Sequence, residues 1–170
     1  MQKHPRHRLP HPYYLGPRNY FLTICTSLRR KLFTDPRLVK LVTSELTRQF
    51  RSHGFSIFAY CFMPDHCHVL AASLTEASDL VQAVRAFKGV SAVHARSLGI
   101  RNLWQRDYYD HILRSSESFH SVAAYIFENP VRAGLVNDPH DWPFSGSFVF
   151  DWKTLAHPAP SFTPTWKKPM

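Results

Sequence analysis

At 170 residues, with 44% hydrophobic and 14% aromatic side chains, the chain can bury a core of its own and is expected to fold as one domain. Its 21 lysines and arginines against 12 aspartates and glutamates leave a net charge of +9, which makes polyanions the natural partners. Cys25, Cys61 and Cys67 show no Cys-x-x-Cys spacing, which excludes a disulfide framework and a four-thiolate zinc site. The longest strongly apolar run, 55–63, is too short to span a bilayer, and the basic N-terminus has no apolar signal core, so a cytoplasmic location is expected.

Residues 1–18 carry Lys3, Arg6, Arg8 and Arg18 among prolines and histidines, without a periodic apolar face, and predict an irregular basic arm. Residues 20–26 are dense in β-formers and predict a central strand. The cluster Arg29-Arg30-Lys31 follows as a solvated turn. Asp35-Pro36 starts a helix, and Leu38, Val42, Leu46 and Phe50 recur at i, i+4, i+8 and i+12 up to His53-Gly54. A strand over 55–62 and another opening at His66 are joined closely enough to form an antiparallel hairpin. A second helix from Ser78 to Gly99 buries Leu80, Val81, Val84 and Phe87, and carries Arg85, Lys88 and Arg96; Gly89 is an internal weak point.

Residues 103–114 predict strand, turn and strand, completing a β-α-β-β-α-β order. That order is the pattern of an α+β ferredoxin-like sandwich, an antiparallel sheet with helices on one face. Ser116 and Glu117 can start a third helix with Phe119, Val122, Ala123, Ile126 and Phe127 as its stripe. Tyr125 lies on the flank of that stripe and Asn129 follows at i+4, on the same side, before Pro130 ends or kinks the helix. Residues 19–136 thus form the expected folded unit, and 137–170 a proline- and aromatic-rich tail laid over it or partly disordered.

The chemistry concentrates at His66-Cys67-His68. On a strand these two imidazoles project to one face, where they can chelate a divalent cation if a third ligand arrives from elsewhere; two partly buried polar residues are the plainer alternative. The aromatics Tyr13, Tyr14, Tyr20, Trp104, Tyr108 and Tyr109 lie among basic residues, a mixture that suits nucleobase stacking as well as half-buried sheet positions.

Three motifs in order, residues 63–70 around the histidine pair, 104–111 with Arg114, and 125–136, resemble the single-tyrosine HUH transposases, and among them the REP-associated tyrosine transposases. The resemblance spans residues 14–147. It implies that the sandwich carries an HUH nuclease site that cuts and rejoins single-stranded, hairpin-containing DNA through a 5′-phosphotyrosine. Tyr125 would be the nucleophile, since a phenolate bonded to phosphorus can later leave. The resemblance also implies Mg2+ or Mn2+ held by His66 and His68, with Asn129 at the third-ligand position. Asn129 has a competing use as a cap for the Pro130 turn.

Arg106, Arg114, Lys88, Arg132 and Trp104 are the candidate DNA contacts, while Asp110 and His111 can approach the site or sit paired at a strand end. Two positions depart from the family pattern: Asp65 stands where Asn is common, and Cys67 where larger aliphatics are frequent. Asp65 can serve as a ligand, a partner to a ligand or a hairpin cap. Rival readings are a non-catalytic DNA-hairpin-binding module and a water-using metal phosphohydrolase. Insertion-sequence relatives act as dimers, whereas the REP-associated branch implies a monomer, with the tail able to cover a dimerisation edge or the DNA groove.

Overall fold

The computed structural model describes residues 9–154. The elements run β1 (Asn19–Cys25), α1 (Pro36–Ser52), β2 (Phe55–Met63), β3 (His66–Ser73), α2 (Leu80–Ala95), β4 (Tyr109–Ile112), α3 (Phe119–Phe127), α4 (Asn129–Arg132) and β5 (Ser145–Gly146). The five strands form one sheet in the order β4-β1-β3-β2-β5, and every neighbouring pair is antiparallel. This is the expected α+β sandwich.

Alternation along the strands divides the interior into two cores. Tyr20, Leu22 and Ile24 of β1 and Cys67, Val69 and Ala71 of β3 face α1 and α2, where they meet Leu38, Val42, Leu46, Phe50, Val84 and Phe87. The four apolar positions expected to drive α1 are all fully buried. Asp35 accepts the Arg37 N–H as N-cap and Pro36 occupies the first turn. The opposite sheet face, with Phe21, Ala59, Cys61, Met63 and Leu70, is covered by α3 through Val122, Ala123, Ile126 and Phe127. Helices α1 and α2 share one face as expected; α3 takes the other because the opposite strand residues are apolar too and need a cover. A register shift between Ile57 and Ala59 lets Phe58 join that second core, where it meets the Phe119 ring edge-on at 4.7 Å.

Local departures from expectation have local causes. The first strand expected within 103–114 is reduced to a bridge between Thr26 and Trp104, and Leu103 and Tyr108 turn into the core instead. Helix α3 is capped by Ser118, whose hydroxyl accepts the Ser121 N–H, and not by Ser116. Glu117 is drawn away from the helix by the Arg114 N–H and the His111 ring. From the arm, Tyr14 packs into the core and donates its hydroxyl to Asp110 at 2.7 Å.

The tail lies on the domain as far as it is described. β5 pairs with Tyr60 and Cys61, the Trp142 indole donates to the Phe62 carbonyl, and Trp152 stacks on Phe127 at 4.5 Å. A Cβ at Gly146 would collide with the Tyr60 ring, so this edge closes around a residue without a side chain. The remainder of the expected arm and tail, residues 1–8 and 155–170, lies outside the described residues.

Between α1 and α2, buried Glu45 accepts from Arg48 at 2.8 Å, Gln49 at 3.1 Å and His94 at 3.1 Å. Burial pushes its carboxyl up, but the Arg48 and Gln49 hydrogen bonds, helped by the Arg48 and His94 charges, outweigh this and hold it below its ordinary 4.5. A depressed folded value means stability present above the ordinary range and lost as pH falls through the lowered value. Glu45→Gln should therefore cost about 1–2 kcal/mol at pH 7, a Tm drop of roughly 3–6 °C. The gap should close as pH falls through that lowered value, where the wild-type carboxyl is itself protonated; melting curves across pH check both parts.

Candidate active site

The β1–β3 register sets Cys25 opposite His66 and Thr23 opposite His68. Both imidazoles consequently lie on the α3 face, and their Nε2 atoms approach to 3.2 Å. Each ring is held from behind. Asp65 bonds the His66 Nδ1 at 2.6 Å, and Thr23 Oγ1 bonds the His68 Nδ1 at 2.9 Å. Because the carboxylate is an acceptor, it fixes a proton on the His66 Nδ1 and turns Nε2 forward. Asp65 is itself gripped by Arg29, whose Nε lies 2.9 Å from Oδ2. His68 is nearly enclosed, stacked on Phe21 with ring centroids 5.3 Å apart.

Tyr125 reaches the same place from α3. Its ring meets His68 edge-on at 6.4 Å and Phe21 at 6.1 Å, and its phenolic oxygen is buried. On the outside, the Arg132 guanidinium lies 4.0 Å over the ring, within cation–π range, and its Nη2 donates to the Tyr125 carbonyl at 2.6 Å. The phenol is thus enclosed, with a cation over its ring face.

Asn129 follows from the chemistry of Pro130. A proline has no N–H to offer the carbonyl four residues back, that of Ile126. The Asn129 side-chain nitrogen supplies the missing donor, at 3.3 Å to Ile126 and 3.0 Å to Tyr125. The amide nitrogen therefore caps the end of α3, and the carboxamide oxygen is the arm directed away from those carbonyls. Capping by the nitrogen leaves the carboxamide oxygen for a separate use, because the two sit at opposite ends of one amide.

Two imidazole nitrogens bound cis to one divalent ion at about 2.0–2.2 Å would be roughly 3 Å apart. The 3.2 Å separation, with both rings oriented from behind, fits that requirement. Among the described residues no group of three or more His, Cys, Asp and Glu could hold a metal, so a third ligand from these residues would be of another type, such as the Asn129 carboxamide. Cys61 lies opposite His68 in the sheet, but burial pushes its thiol up to about 12, away from thiolate chemistry at neutral pH.

The remaining candidates separate. Lys88 Nζ donates to the carbonyls of Gln105 and Arg106, both at 2.7 Å, and so holds that loop. Trp104 is half-buried against Phe33 and Phe87 and donates to Ser91. Arg106 and Arg114 are exposed. His111 pairs with Glu117 at 2.8 Å, and Asp110 with Tyr14 on the other sheet face. Of the aromatics, Tyr14, Tyr20 and Tyr108 are core residues, while Tyr13 and Tyr109 stay exposed. Thr23, Phe21 and Arg29 were absent from the sequence-based site because strand register and a turn bring them there.

A sheet carrying paired histidines on one face, met by a tyrosine from a covering helix, agrees with the family match: the model for IS200-like transposases covers residues 17–129, and the chain belongs to that family. Within it, the chain is similar to REP-associated tyrosine transposases. It is 25% identical over 148 residues to the one from Escherichia coli (strain K12), covering 82% of this chain and 87% of that protein. A Haemophilus influenzae (strain ATCC 51907 / DSM 11121 / KW20 / Rd) protein provisionally named in the same way is 29% identical over 156 residues, covering 82% and 84%. A solved REP-associated tyrosine transposase bound to a REP hairpin superposes with a TM-score of 0.68 at 25% identity, over 85% of this chain and 82% of that one.

The capping geometry makes a stability prediction. Asn129→Ala should lower Tm by roughly 3–6 °C, reflecting about 1–2 kcal/mol for carbonyls deprived of a donor. Asn129→Asp should melt lower still at pH 7, since it sets a carboxylate against two carbonyl oxygens. Equal melting of all three proteins would show that the amide nitrogen does not cap α3.

Proposed function

We propose that the protein is a metal-dependent tyrosine strand transferase that cleaves and rejoins single-stranded DNA bearing a hairpin, acting in the cytoplasm as a monomer. The observation that carries this reading is the pair of Nε2 atoms 3.2 Å apart with the Tyr125 ring against His68. Family membership and the hairpin-bound relative support the substrate.

In the proposed reaction the Tyr125 oxygen attacks the scissile phosphorus, the bond to the 3′ oxygen breaks, and the phenolic proton is lost to solvent or a nearby base. The products are a 5′-phosphotyrosine and a strand ending in a 3′ hydroxyl once that oxygen takes a proton. Attack by a 3′ hydroxyl on the phosphotyrosine reverses the step and rejoins DNA, so phosphodiester bond energy is retained.

His66, His68 and the Asn129 carboxamide oxygen would hold Mg2+ or Mn2+, which when bound supplies Lewis-acid polarisation of the phosphate and stabilisation of the leaving oxygen. Two imidazole donors suit Mn2+ better than Mg2+, while carbonyl, water and phosphate oxygens suit both. Asp65 and Thr23 keep the rings aimed. Arg132 sets a positive charge beside the phenol, and Arg106 and Arg114 offer exposed charges to the strand. Lys88 acts through the loop it holds, and Trp104 through the packing beneath it.

Incubation with labelled hairpin-containing single strands and Mn2+ should give a protein–DNA adduct on a denaturing gel, absent in Tyr125→Phe and lost on chelation. An adduct that survives Tyr125→Phe overturns the nucleophile assignment. Cleavage without an adduct indicates a phosphohydrolase, and binding without cleavage indicates a recognition module. Thr23→Val, which removes the hydroxyl behind His68, should weaken Mn2+ binding by about 10–100-fold in calorimetric titration.

A further inference from the structure

The most solvent-exposed large apolar side chain of the described residues is Leu28, at 87%, at the tip of the turn after β1. Exposure of one leucine is ordinary by itself. Its backbone is not. Leu28 and Arg29 have φ of 57° and 55°, two consecutive left-handed residues with side chains that disfavour that conformation.

The turn is held there from several sides. Thr26 Oγ1 donates to the Arg30 carbonyl at 2.7 Å, the Ser27 N–H to Leu103, and Arg30 Nη2 to the carbonyls of Arg101 and Asn102 at 2.8 and 2.6 Å. Arg29 ties the same turn to Asp65, the residue that orients His66. Strain maintained by this many contacts, with an apolar side chain raised into solvent as its outcome, marks a functional element.

We propose that Leu28 is a wedge that packs against nucleobases where the hairpin stem meets the single strand. This rests on the strand-transferase reading and adds a recognition residue to it. Apolar side chains inserted at base steps unstack and bend nucleic acid, and the cost is lowest where a base already lacks a paired neighbour. Lys31 is exposed on the same turn, and it adds to the positive field of Arg29 and Arg30, whose charged groups are held on Asp65 and on loop carbonyls, so that phosphates are drawn toward an apolar point. A single leucine so surrounded is too small an apolar area to dock a protein. Its link through Arg29 and Asp65 to His66 puts the contacted bases next to the cleavage site.

The test uses the full chain and a synthetic DNA hairpin with a single-stranded flank and 2-aminopurine at the junction. Wild-type protein should bind it and raise the fluorescence. Leu28→Asn and Leu28→Gly both suit a left-handed backbone and should melt no lower than wild type. They should bind about tenfold more weakly and lose the fluorescence rise, with the salt dependence of binding unchanged because no phosphate contact is removed. Leu28→Met should retain both signals. Variants that bind and fluoresce as wild type overturn the wedge while leaving the strand-transferase reading intact. Failure of the wild-type protein to bind the hairpin overturns both.

Discussion

The pairing of β1 with β3 is the constraint on which the site depends. Side chains alternate along a strand, so a slip of one residue in β3 would turn His66 and His68 into the core under α1 and α2 and bring Cys67 to the α3 face. The apolar pattern forbids it. Cys67, Val69 and Ala71 are buried in the larger core, and moving polar imidazoles there without partners would cost more than any gain from the cysteine. The same core that stabilises the sheet therefore aims the histidines, and the register that aims them also supplies Thr23 as the partner of His68.

The second constraint is the missing donor at Pro130. A helix that ends just after Tyr125 must satisfy its last carbonyls without leaving that residue loose. Asn129 and Arg132 both bond the Tyr125 carbonyl, so the residue proposed as nucleophile is anchored at its own backbone by two side chains from the following turn. Arg132 also lies over the phenol ring. The segment 129–132 thus joins three tasks: it ends α3, holds the Tyr125 carbonyl, and sets a cation over the Tyr125 ring.

The sandwich was legible in the sequence because its signals are local and strong: the Leu38–Phe50 stripe, the Asp35-Pro36 start and the short turn between β2 and β3. The pairing of His66 with His68 on one face was legible from strand alternation, and the relation of Tyr125 to Asn129 from helical spacing. What escaped was whatever depends on contacts distant in sequence. Nothing near Thr23 announces that it sits behind His68, and nothing near Trp104 distinguishes a base-stacking ring from one filling a gap between Phe33 and Phe87. The side of the sheet chosen by α3 was equally hidden, because a short apolar helix fits either face until the strand residues opposite it are known. Ser116 failed as a cap through competition, since Glu117 found better partners in His111 and Arg114.

Net charge is a poor guide to which cations meet a ligand, and this chain shows why. Lys88, Arg29 and Arg30 look alike in the sequence, yet each places its charged group on a specific partner: loop carbonyls for Lys88 and Arg30, a carboxylate for Arg29. A cation already satisfied in this way offers less to a phosphate than one free to move, but it does something a mobile cation cannot, which is to fix backbone. Arg29 and Arg30 hold a turn in a conformation that its residues resist, and Lys88 holds the segment that carries Arg106. Part of the positive charge therefore shapes the surface on which the rest acts, and the arginine on Asp65 connects that surface directly to the ring of His66.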